Sequence, residues 1–148
     1  MTIELEVQRA TSARPLPGDQ QFERWVGVAL GELGTAIVTI RLVDRDEMRR
    51  LNERYRGKDA ATNVLSFPAD LPDAVGIPLL GDVVLCAPLL IEEAQAQGKL
   101  PEAHWAHLTI HGVLHLLGHD HLDPAEAAVM EGLEIELLAG LGIGNPYE

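Results

Sequence analysis

Only one cysteine, Cys86, occurs in the chain, so no internal disulfide can form and a fold stapled by crosslinks is excluded. None of the apolar runs in the 148 residues is long enough to cross a bilayer, so no membrane association is expected. The opening M-T-I-E-L-E-V lacks the basic start and apolar centre of a secretory leader. Low-complexity tracts and repeats are also missing, which leaves a compact soluble fold as the default. Basic residues are scarce, with 11 Lys and Arg against 23 Asp and Glu, and the net charge of −12 argues against general affinity for nucleic acid. These absences together give a cytoplasmic location as the expectation. Cys86 lies inside V-V-L-C-A and reads as a small buried side chain rather than a reactive thiol.

With 47% of the chain hydrophobic, residues 1–148 suffice for a single domain with its own core. Residues 3–7 alternate apolar with acidic, as a half-exposed strand does. Asp19 is a plausible N-cap for a helix from about 20 to 33 that turns Phe22, Trp25, Val26 and Leu30 inward and stops at Gly34. The β-branched stretch 35–43 reads as the strongest strand. A short amphipathic helix over 44–55 is expected to bury Met48, Leu51 and Tyr55 and expose its arginines. V-L-S-F (64–67) and G-D-V-V-L-C (81–86) read as strands, and Pro88 and Pro101 as openings of two helices. Asp123-Pro124-Ala125-Glu126 has the residues of a helix start. The expected class is α+β, a small mixed sheet of about four strands packed by about five helices.

The scarce positive charge is concentrated. Seven of the eleven basic residues, Arg41, Arg45, Arg49, Arg50, Arg54, Arg56 and Lys58, fall within 41–58, leaving +3 there and −15 elsewhere. Such a surface can hold a polyanion at one place. The competing reading is a solvated helix laced with pairs such as Asp46 with Arg50.

All six histidines fall between His104 and His121. His104, His107, His111 and His115 follow one another at helical steps of three, four and four, and so share a face. Gly118 then allows the helix to stop in a left-handed turn, and the chain can return with His121. H-x-x-x-H-x-x-G-x-x-H is the ligand spacing of metzincin peptidases. His111, His115 and His121 are therefore the expected ligands of one zinc ion per chain on a metzincin-like helix. Three imidazoles leave a position for water, as in catalytic sites, although nickel, copper or iron would also accept them. His107 with His111 is a rival pair.

A second absence matters here. Zinc peptidases carry a glutamate general base after the first histidine, and this chain has Gly112. A metallopeptidase-like hydrolase therefore remains only an alternative, beside a non-catalytic, zinc-stabilised binding module. Asp120 is a candidate to hold a ligand imidazole through its second nitrogen. Arg56 is a candidate to reach the site in space.

H-G-V-L-H-L-L-G-H-D-H (111–121) resembles the signature of the YbeY family, metal-dependent endoribonucleases of bacterial ribosomal RNA maturation. N-E-R-Y-R-G-K-D-A-A-T-N-V-L-S-F-P (52–68) and G-D-V-V-L-C (81–86) agree in order and spacing, so the likeness runs from about Val38 onward. The chain departs from it at His119, where tyrosine is usual, and at Asn63, where aspartate is usual. The resemblance implies zinc on His111, His115 and His121, with Arg56 important for activity. It also implies a cytoplasmic role in maturing the 3′ end of small-subunit ribosomal RNA and in ribosome quality control. Single-stranded RNA, the small ribosomal subunit and its assembly factors are the implied partners. A guanidinium suits the role of Arg56, because it stays charged and grips phosphate with paired donors.

Overall fold

The computed structural model describes residues 3–31, 35–69, 78–120 and 122–148. In chain order it forms β1 (Ile3–Ala10), α1 (Asp19–Leu30), β2 (Ala36–Val43), α2 (Arg45–Arg56), β3 (Val64–Pro68), β4 (Leu79–Cys86), α3 (Ala87–Ala96), α4 (Pro101–Leu116) and α5 (Pro124–Gly140). The four strands make one sheet in the order β1-β2-β4-β3. β1 pairs parallel with β2 and β2 parallel with β4, while β3 runs antiparallel to β4 at the edge. The α+β class and the four-strand, five-helix arrangement match the expectation. Among the described residues no helix is long and apolar enough to cross a membrane.

Alternation along the strands splits the core between the two faces of the sheet. Val38, Ile40 and Leu42 of β2 and Val83 and Leu85 of β4 join the larger cluster with α1, α4 and α5. Val84 and Cys86 point the other way and meet Val43, Met48 and Leu65 under α2. α4 carries Trp105, Ile110 and Val113, all essentially out of water, against the sheet. Each such side chain contributes about 1.5–3 kcal/mol by leaving water.

Some boundaries differ from the sequence reading. α1 begins at Asp19 itself, one residue earlier than expected. Gly18 is its N-cap, with its N–H donating to Gln21 Oε1 at 2.9 Å, while Asp19 sits in the first turn and pairs with Arg9 at 2.6 Å. α1 ends at Gly31, whose φ of 57° suits glycine, and Gly34 lies outside the described residues. β4 starts at Leu79, two residues before the expected Gly81. Tyr55 is 57% exposed rather than buried, and its ring meets Phe67 edge-on at 5.1 Å. The start of α5 is as read, with Asp123 Oδ1 accepting from the Glu126 N–H at 2.8 Å.

One close approach fixes how α4 lies on the sheet. A Cβ on Gly112 would stand 2.5 Å from Val83 Cγ1 and 3.3 Å from Ser66 Oγ. Ser66 Oγ donates to the Gly112 carbonyl at 2.8 Å, pinning the helix to β3. Val83 is fully buried and β-branched, so it cannot swing aside. Gly112→Ala is therefore expected to overpack this contact at a cost of about 1–3 kcal/mol. A fall of several degrees in the thermal midpoint checks it, and an unchanged midpoint would contradict the contact. Burial also pushes the Cys86 thiol up. Cys86 is expected to resist an aromatic disulfide reagent in the native chain and to react fully once denatured.

Candidate metal centre and its cavity

α4 ends where the sequence predicts. Gly118 has φ 98°, its N–H donates to the His115 carbonyl at 3.0 Å, and the His119 N–H donates to the Leu114 carbonyl at 3.1 Å. These two bonds form a Schellman stop, which turns the chain back beside His115. His121 lies outside the described residues.

The histidine stripe divides into two halves. His104 and His107 are buried and meet carboxylates: His104 Nε2 lies 2.8 Å from Glu93 Oε1, and His107 Nε2 lies 2.5 Å from Glu134 Oε2. Burial pushes His104 below its ordinary value, with Glu93 opposing. Glu93 also accepts from Asn63 Nδ2 at 3.3 Å to each oxygen, so the amide at this position supplies a donor that an aspartate would lack. His111 and His115 are half-buried at the other end of the stripe. The Nε2 atoms of these two rings stand 3.2 Å apart, and His111 Nδ1 lies 3.1 Å from Glu134 Oε1.

His111 and His115 open onto a cavity of about 710 Å³. β3 forms one wall from Val64 to Pro68, the end of α2 contributes Tyr55 and Arg56, and Gly118 to Asp120 close another side. Arg56 and Asp120, far apart in sequence, thus share a cavity with the two histidines. Arg56 is exposed and makes no ion pair among the described residues. Asp59, three residues on, is held by Arg49 at 2.7 Å. Much of the remaining basic tract is neutralised: Arg41 pairs with Glu47 at 2.7 Å, Arg45 with Glu92, and Arg49 also with Glu53 at 3.8 Å. The Arg54 guanidinium lies over the Tyr55 ring, 5.4 Å from its centre.

Among the described residues, His107, His111 and Glu134 form a group able to hold a metal, with ligand atoms within 4.8 Å of one another. Glu134 is the residue that sequence reasoning missed. It is fully buried on α5 in line with Met130 and Leu138, at helical steps of four. A glutamate on an otherwise apolar stripe was the available signal. Tyr147, from the C-terminal tail, was missed as well. Its hydroxyl donates to Glu134 Oε2 at 2.9 Å.

Burial alone would push the Glu134 carboxyl up, but hydrogen bonds from His107 and His111 outweigh it and hold the group at about 2, below the ordinary 4.5. A carboxyl lowered by folding contributes stability that is present above its unfolded value and lost as pH falls through the folded one. In the metal-free chain this contribution is expected to disappear between pH 4.5 and about 2. It amounts to roughly 3 kcal/mol at most, from ~1.4 kcal/mol per unit. Glu134→Gln is expected to flatten that acid limb in urea midpoints measured against pH, and an equally steep limb would contradict it.

The model of the family described as Endoribonuclease YbeY matches residues 11–142. An Endoribonuclease YbeY from Pseudomonas entomophila is 58% identical over 147 residues, covering 98% of this chain and 93% of that protein. The solution structure of a Thermotoga maritima protein has the same fold, with a TM-score of 0.58 at 23% identity over 95% of this chain and 92% of that one. From the match over nearly its whole length, the chain belongs to the YbeY endoribonuclease family.

Proposed function

We propose that the protein is a zinc-dependent endoribonuclease that cuts single-stranded RNA in maturing the 3′ end of small-subunit ribosomal RNA and in ribosome quality control. The ligands in this reading are His111, His115 and His121. The observation that carries it is the meeting of two imidazole Nε2 atoms, 3.2 Å apart, at a cavity whose wall presents Arg56, which has no ion pair among the described residues. Two nitrogens on one tetrahedral zinc stand about 3.3 Å apart, given Zn–N near 2.0–2.1 Å. The His107–Glu134 separation of 2.5 Å is too short for two donors sharing an ion and is that of a hydrogen bond. The cavity side of His111 therefore fits the ion better than the buried side.

When bound, the ion supplies Lewis acidity toward a phosphate oxygen and lowers the pKa of water beside it. The chain's own groups do the rest. Arg56 offers paired N–H donors to the scissile phosphate and offsets the negative charge that builds on it. Asp120, on the same wall, serves an imidazole other than His111, whose Nδ1 already meets Glu134. The cationic end of α2 leads the RNA backbone in. The −15 carried outside 41–58 repels loosely held polyanions, so productive binding needs the small ribosomal subunit or its assembly factors. A peptidase reading has no support at Gly112, since Val83 fills the space that a general-base side chain would need.

Unstructured RNA and casein offered to the same zinc-loaded preparation test the reading. RNA cutting and no casein cutting are expected, with RNA cutting abolished by a chelator and by His115→Ala. Arg56→Ala is expected to keep its fold, being exposed, and to lower kcat by roughly 100–1,000-fold. Undiminished cutting by both variants would overturn the assignment.

A further inference from the structure

We propose that Glu134 is a positioning residue for the metal centre: its carboxylate holds His111 in the tautomer that carries the proton on Nδ1, and so leaves the lone pair on Nε2 to face the ion. This rests on His111 being a ligand, as in the function proposed above. It does not rest on the identity of the RNA.

A carboxylate taken fully out of water costs several kcal/mol unless its oxygens are satisfied. Those of Glu134 are satisfied by three groups, His107 Nε2 at 2.5 Å, His111 Nδ1 at 3.1 Å and the Tyr147 hydroxyl at 2.9 and 3.1 Å. An ionised carboxylate only accepts, so each of these groups must donate. Burial and the neighbouring Glu134 push the Tyr147 hydroxyl up, which keeps it a donor. Lys99 Nζ, donating to the Pro146 carbonyl at 2.9 Å, ties down the tail that brings Tyr147 there.

The consequence for the two rings differs. A neutral His107 donating through Nε2 keeps its lone pair on Nδ1, a buried atom with no hydrogen-bond partner among the described residues. Its Nε2 is thus committed to Glu134, which removes His107 as a rival ligand. His111 donates through Nδ1, so its lone pair is on Nε2, the atom that stands 3.2 Å from His115 Nε2 at the cavity. Carboxylates that grip a ligand histidine in this way orient the ring and raise its basicity, and losing one typically weakens metal binding 10–100-fold.

Glutamine at this position has one acceptor oxygen and an NH₂ that cannot face a ring N–H. With Glu134→Gln at least one ring must change tautomer or lose its bond. Competition between protein and a chromogenic chelator for Zn²⁺ is expected to show a Kd raised roughly 10–100-fold in Glu134→Gln. Tyr147→Phe, which removes a donor and leaves the Glu134–His111 pair, is expected to lower the thermal midpoint and keep the Kd within about threefold of wild type. That contrast separates positioning from mere support of the fold. Long-range ¹H–¹⁵N NMR of the zinc-free wild-type chain is expected to place the His111 proton on Nδ1, and it needs no variant. A Glu134→Gln chain that binds zinc as tightly as wild type, or a His111 proton on Nε2, would overturn the proposal. A wild-type chain that takes up no zinc would sink the functional reading instead, and the His111 tautomer would still judge this one.

Discussion

The contact of Gly112 with Val83 is the constraint on which the site depends. α4 has to bury Trp105, Ile110 and Val113 against the sheet while its histidines face away from that layer. Without a side chain at Gly112 the helix backbone comes down onto β4, and Ser66 locks it to β3. His111, the next residue, is thereby held between a buried carboxylate on one side and an open cavity on the other. The position that carries the general base in zinc peptidases is here used for packing. The same helix spacing therefore supports a different chemistry from that of a peptidase, and in the function proposed here Arg56 on the cavity wall meets the charge of the substrate.

Electrostatics sort the histidine stripe by depth. Toward the buried end, His104 and His107 are matched with Glu93 and Glu134. At the cavity end, His111 and His115 converge on each other. The basic tract sorts in a similar way. Arg41, Arg45 and Arg49 are paired with carboxylates, whereas Arg56, on the cavity wall, has no ion pair among the described residues. A chain with a net charge of −12 thus has an exposed guanidinium on the wall of the cavity that His111 and His115 open onto.

Much of this was legible in the sequence because it rests on local rules. Pro101 and Gly118 bracket α4, Asp123 caps α5, and β-branched residues mark β2. The steps between His111 and His115 place them on one face whatever the tertiary context. The misses are long-range. Tyr55 fits a buried helix position by periodicity, yet α2 ends at the cavity rim and leaves it exposed against Phe67. β4 runs two residues further than its composition suggested, because Leu79 pairs with Ile37 across the sheet. Glu134 and Tyr147 could be placed beside His111 only by the way α5 and the tail pack on α4. Even so, a carboxylate on the stripe with Met130 and Leu138 marked a buried polar partner.

The most direct test of the whole account is an X-ray structure of the zinc-loaded chain. The expected result is an ion held by Nε2 of His111 and of His115 together with His121, completed by a solvent oxygen on the Arg56 side, with Glu134 on the far nitrogen of His111. An ion seated among His107, His111 and Glu134, or one closed off by a fourth protein donor, would contradict it.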